Sequence, residues 1–159
     1  MLIKLLRHLC ILCVSVVNKF RTKYIANLTT SVPVGTEIAR PFLPAKDFDL
    51  SKLFYQALGF TMVLDDDEVA IFRTGTSSFL LQKYFQKEWA ENFMMQLMVD
   101  DLDAWWTHVL SLDLPAKFGV PAPKPPAIQP WGLRIAYVID PSGVLWHVAQ
   151  RRPDISHDE

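Results

Sequence analysis

The chain has 159 residues, half of them hydrophobic and 21% charged, with a formal net charge of −1. That is enough apolar material for one core or two small lobes, and it excludes wholesale disorder. Residues 1–35 carry five basic residues (Lys4, Arg7, Lys19, Arg21, Lys23) and no acid, which leaves 11 basic and 17 acidic residues, a net of −6, from residue 36 onward. An acidic body does not favour nucleic acid, whose phosphates need a basic stripe, and would instead draw in a cationic small molecule.

At the N-terminus, Lys4 and Arg7 precede an apolar run from Leu9 to Val17. The run has the length of a secretory h-region and is too short to span a bilayer. Basic residues resume at once after it, and no small-x-small cleavage site closes it. A membrane-seeking amphipathic helix and a stretch appended from an upstream start are rival readings; the plainest is a loosely tethered extension over 1–35. Asn27-Leu28-Thr29 matches a glycosylation sequon without other support for export. Cys10 and Cys13 both fall here, and no second ligand pair follows them to complete a zinc site. From residue 36 on there is no cysteine, so that part forms no internal disulfide and fits a reducing, cytoplasmic compartment.

The body, residues 36–152 before a short tail at 153–159, contains a repeat at a spacing of 54 residues. Phe42-Leu-Pro-Ala-Lys-Asp47-Phe-Asp49 is echoed by Gln96-Leu-Met-Val-Asp-Asp101-Leu-Asp103. Each copy predicts an apolar strand, then acids suited to a helix start, then a helix. In the first helix Leu50, Leu53, Phe54, Ala57 and Leu58 recur at helical spacing and predict one buried face, and Gly59 ends it. Strands are predicted at Phe60–Leu64, Val69–Arg73 and Phe79–Lys83, separated by Asp65-Asp66-Asp67 and Thr74-Gly75-Thr76. The second copy continues with a weak strand near Lys117–Val120, a stiff Pro-rich loop over Pro121–Pro130, then strands at Leu133–Ile139 and Val144–Ala149 around Asp140-Pro141-Ser142-Gly143. The prediction is therefore one α+β domain of two tandem βαβββ modules, at about 38–84 and 92–150.

That pattern, with Leu43-Pro44-Ala45-Lys46-Asp47-Phe48-Asp49 before Phe54-Tyr55, the run Asp100-Asp101-Leu102 and the Pro130-Trp131-Gly132 loop, resembles the vicinal oxygen chelate superfamily of glyoxalases, bleomycin-resistance proteins and dioxygenases. It is most similar to the bleomycin-resistance branch. The resemblance implies a curved mixed sheet with a cleft. Metal-using members hold a divalent ion at positions that map to Arg40, Gln82, Met94 and His147. A guanidinium has no lone pair to give and a thioether is soft, so this set predicts no catalytic metal, no cofactor and no catalytic residue. His108, on the second helix, reads as an exposed helix residue.

In the bleomycin-resistance branch the resemblance implies a homodimer whose clefts sequester a flat drug without altering it, with Trp131 as a stacking wall. The opposite wall maps to Val69, which cannot stack, unless Phe72 takes its place. The expected ligand-binding residues are Trp131, His147, Met94, Gln82, Phe42 and Val69. The leading expectation is a metal-free binder of planar or cationic antibiotic-like molecules. A metal-dependent superfamily enzyme (a glyoxalase-like lyase or a dioxygenase) and a non-catalytic dimerisation module are the alternatives.

Overall fold

Asp47 and Asp101 each start a helix. The Asp47 carboxylate accepts from the Leu50 amide at 2.9 Å and the Asp101 carboxylate from the Ala104 amide at 2.8 Å, satisfying amides that the first turn leaves without a helical partner. The computed structural model describes residues 38–151. The expected N-terminal extension with its cysteines and sequon, and the tail at 153–159, lie outside the described residues.

In chain order the elements are β1 (Phe42–Pro44), α1 (Phe48–Ala57), β2 (Thr61–Asp65), β3 (Val69–Thr74), β4 (Ser77–Gln82), α2 (Lys87–Ala90), β5 (Met94–Val99), α3 (Leu102–Ser111), α4 (Leu114–Phe118), β6 (Lys124–Ile128), β7 (Arg134–Ile139) and β8 (Leu145–Gln150). The duplication reappears in the topology. One four-stranded sheet has the order β1-β4-β3-β2 and the other β5-β8-β7-β6. In each, the strand before the helix runs parallel to the last strand of the module, and the remaining pairs are antiparallel.

Three expectations need correcting. The weak strand near Lys117–Val120 is instead α4, bounded by left-handed residues at Asp113 (φ 49°) and Gly119 (φ 65°). Pro115 suits its first turn, where a missing amide costs nothing. The Pro-rich stretch also holds more than a loop: β6 forms the sheet edge, and its register shifts between Lys124 and Ala127, where Pro125 and Pro126 sit. Prolines are tolerated at edges and bulges because the lost ladder donor is not needed there. In α1 the predicted buried face is kept at Phe54 and Leu58, with Leu50 and Ala57 half-buried, and fails at Leu53. Phe48, Ser51, Phe54 and Tyr55 are buried, while Leu53 is 58% exposed.

Tyr55 is drawn inward beside this face by what it reaches. Its hydroxyl donates to Asp140 Oδ2 at 2.7 Å and accepts from Trp146 Nε1 at 3.2 Å, all in the interior. Asp140 Oδ1 takes the amides of Ser142 and Val144 at 2.9 and 2.8 Å, which closes the turn between β7 and β8. Ser142 Oγ in turn accepts from the Lys46 amide, between β1 and α1, at 3.0 Å. The first module, through its helix and through the segment before it, and the second module's turn are thus bound to each other at two points. Phe60, Phe72, Phe79 and Trp146 surround Tyr55, with ring centroids 4.8 to 5.8 Å from it, and the two modules share this apolar core. Edge-to-face contacts of this kind add to the gain from burial.

Burial pushes the Asp140 carboxyl up to about 6, against the opposing pull of the Tyr55 hydroxyl and the turn amides. The folded chain therefore binds a proton between about pH 6 and 4 that the unfolded chain releases, and this group adds stability as pH falls through that range. Urea unfolding of the wild type against Asp140→Asn should show the wild type gaining roughly 1 kcal/mol on the variant between pH 7 and pH 5. Parallel pH profiles for the two proteins would contradict the assignment.

Candidate functional site

Side chains alternate across a strand, so each sheet has one face under the helices and one turned away from them. On the first sheet Leu43, Leu81, Ala70, Phe72 and Phe79 are buried on the helix side. The opposite face is read from the strand register in three rows: Pro44–Gln82–Val69, Phe42–Leu80–Ile71–Leu64, and Ser78–Arg73–Thr61. Phe42 remains 52% exposed and Leu64 47%. Three of the expected ligand-binding residues, Phe42, Gln82 and Val69, thus share this face.

On the second sheet Trp146, Val148, Val138 and Ala136 are buried, and Trp105 and Trp106 of α3 pack half-buried against the same core. The open face has an apolar row, Ile139–Leu145–Met94, beside a polar row, Lys124–Tyr137–His147–Gln96. Met94 is 64% exposed. Its strand partner is Leu145, whereas His147 lies between Tyr137 and Gln96. The Tyr137 and His147 rings meet edge to face with centroids 4.8 Å apart. His147 Nε2 is buried and makes no hydrogen bond among the described residues, and burial holds the imidazole below its ordinary pKa. A cavity of about 170 Å³ lies along this face, lined by Pro121, Ala122, Lys124, Tyr137, Ile139 and Leu145. Its walls are mainly carbon, as suits a ligand held by an apolar surface with a few polar groups.

Trp131 stands at the end of the β6–β7 hairpin. Two backbone bonds, Gln129 to Leu133 at 2.9 Å and Gly132 to Gln129 at 2.8 Å, close the turn, and Gly132 adopts φ 83°, which a side chain would strain. Just beyond it, Arg134 makes a bidentate ion pair with Asp103 of α3 at 2.9 and 2.6 Å. Trp131 is 60% exposed. A stiff, tethered turn therefore holds a flat ring largely in the open.

The six expected residues accordingly fall into two groups: Phe42, Gln82 and Val69 on the first sheet, Met94 and His147 on the second with Trp131 at its hairpin. Phe72 is fully buried on the helix side, so it does not replace Val69 as a stacking wall. Tyr137, Leu145 and Ile139 were missed by the sequence reading; counting alternate positions from His147 would have found Leu145, whereas Tyr137 and Ile139 join it only through the β7–β8 register. The donor set for a divalent ion does not fit either. Arg40 Nε donates to Ser78 Oγ at 2.8 Å, the partner of His147 is an amide, and among the described residues no group of three His, Cys, Asp or Glu is placed to hold a metal. His108 is exposed.

An NMR titration of the imidazole protons should give His147 a midpoint below 6.5, and Tyr137→Ala, by admitting water, should move it upward. A midpoint at or above 6.5 in the wild type would show the ring to be solvated.

The family described as the Glyoxalase/Bleomycin resistance protein/Dioxygenase superfamily matches residues 37–148. A bleomycin resistance protein of Klebsiella pneumoniae is 32% identical over 120 residues, spanning 72% of this chain and 93% of that protein. Among solved structures, a bleomycin-binding protein complexed with bleomycin superposes with a TM-score of 0.64 at 30% identity, over 74% of this chain and all of the other. The bleomycin-binding protein from bleomycin-producing Streptomyces verticillus, complexed with copper(II)-bleomycin, gives 0.63 at 27% identity, over 76% and 100%.

Proposed function

We propose that this chain, which belongs to the Glyoxalase/Bleomycin resistance protein/Dioxygenase superfamily, binds and sequesters a small planar, antibiotic-like molecule without chemically altering it. The observation that carries the reading is the largely exposed Trp131, held by a tethered turn at the end of a sheet whose open face sets an apolar row beside a polar one. Flat aromatic and cationic groups stack on such a ring. Relatives whose names state bleomycin binding or resistance support the same reading. Protection by capture depends on affinity and abundance, and needs no nucleophile, general base or metal.

The division of the expected residues between two faces supports a homodimer. Each face alone is in large part an open sheet surface, with Ile135 and Ala149 buried on the second, and a closed cleft forms if the first face of one protomer meets the second face of its partner. The arrangement would place an apolar surface with Gln82 on one side and the Tyr137–His147–Gln96 row on the other. Val69, in the middle of the first face, gives the cleft an aliphatic wall where a second ring would clamp a flat ligand.

Titration with bleomycin, followed by tryptophan fluorescence, should saturate at one drug per chain, and the drug should be recovered unmodified. Trp131→Ala should weaken binding by about tenfold, the loss of one stacking contact, while Val69→Phe should tighten it several-fold. Sedimentation should give twice the 18.2 kDa chain mass. Equal affinity in the Trp131 variant would remove that residue from the site, and turnover of the drug would replace sequestration by catalysis.

A further inference from the structure

We infer that the first open face carries a subsite for an oxyanion, built from Arg40, Arg73 and Ser78, so that the captured molecule joins a flat apolar body to an acidic group. The inference rests on reading that face as a ligand surface. Ser78 sits between two guanidinium groups: Arg40 Nε donates to its hydroxyl at 2.8 Å, and Arg73 is its direct partner across the β3–β4 ladder. Among the described arginines the other two are neutralised, Arg134 by Asp103 and Arg151 by Asp100. Arg40 and Arg73 make no ion pair with a carboxylate among the described residues, in a body that carries an excess of acids.

A second observation meets the first at Ser78. Ser78 also lines a cavity of about 290 Å³ between the β3–β4 turn and the edge strand β5, whose polar wall is Thr74, Thr76, Ser77, Gln96 and Arg151 and whose apolar wall includes Phe60, Phe79 and Trp146; the Arg40 and Arg73 side chains lie outside it, on the far side of Ser78. Hydroxyl groups and guanidinium forks are the donors that oxyanions accept from, and the planar fork can grip two oxygens at once. One pleat along the strands from Ser78 and Arg73 runs the apolar row Phe42–Leu80–Ile71, about 7 Å away at strand spacing. An acidic head held at the arginines would lay an attached ring system on that row. The net charge of the body favours cations at long range, but at contact distance the two guanidiniums set the local field.

The test uses two fluorescent probes that differ by one group: 1-anilinonaphthalene-8-sulfonate and its neutral parent, N-phenyl-1-naphthylamine. Both should bind the wild type. Arg40→Gln and Arg73→Gln should each weaken the sulfonate by roughly three- to tenfold, as expected for exposed charge-assisted contacts, and leave the neutral parent within about twofold. Raising the salt from 0.05 to 0.5 M should weaken the sulfonate on the wild type and scarcely affect it on the double variant. Matching melting temperatures establish that the variants are folded. Unchanged sulfonate affinity in both variants would overturn the subsite, as would an equal loss for both probes. If the neutral parent fails to bind the wild type, the reading of the face as a ligand surface falls, and the subsite with it.

Discussion

One buried contact, the Tyr55 hydroxyl on the Asp140 carboxylate, fixes the relation between the two halves of this protein. A carboxylate that is largely removed from water is costly unless its oxygens are occupied. Here one oxygen takes the phenol and the other takes two amides of its own turn. The helix of the first module is thereby held to the last hairpin of the second. Trp146, donating to the same hydroxyl, sets the face of β8. Because neighbours on a strand point to opposite sides, seating Trp146 under the helices turns His147 to the open side.

From that anchor the candidate surfaces follow. Each module packs a helix against one side of its sheet and leaves much of the other side exposed, Ile135, Ala149 and Pro44 being buried there. The uncovered sides keep large apolar groups such as Phe42, Met94 and Leu64 in partial contact with water, a cost the fold would not bear without a use for them. The polar groups on these faces lie in rows across the strands, as register dictates. Tyr137, His147 and Gln96 form one such row, and Ser78 and Arg73 fall in another. The turn that carries Trp131 is stiffened at its tip by Gly132 and at its foot by the Arg134–Asp103 pair, so the indole is presented by a scaffold already ordered before any ligand arrives.

The superfamily places several chemistries on this fold, and the side chains at the positions that the resemblance assigns to metal donors bear on which of them fits. Arg40 occupies one of those positions and is bound to Ser78 rather than offering a lone pair. Met94 presents a thioether beside Leu145, and His147 neighbours an amide and a phenol. A guanidinium and a thioether are poor donors for a divalent ion but ordinary groups for a binding surface.

Sequence alone determined the duplicated βαβββ plan, both helix starts and most strands, because these depend on local rules: Asp at the cap, alternation along strands, glycine at helix ends. It also placed Trp131 in a turn and set His147 and Trp146 on opposite faces. It did not show that α1 turns Leu53 outward, because the hydroxyl of Tyr55 has a partner 85 residues away. Nor did it show α4 or β6, whose conformations depend on left-handed residues and on an available sheet edge. Which polar groups meet on the open faces was decided only by register, a long-range property. His147 became the neighbour of Tyr137 and Gln96, and Arg73 the neighbour of Ser78, when the strands paired.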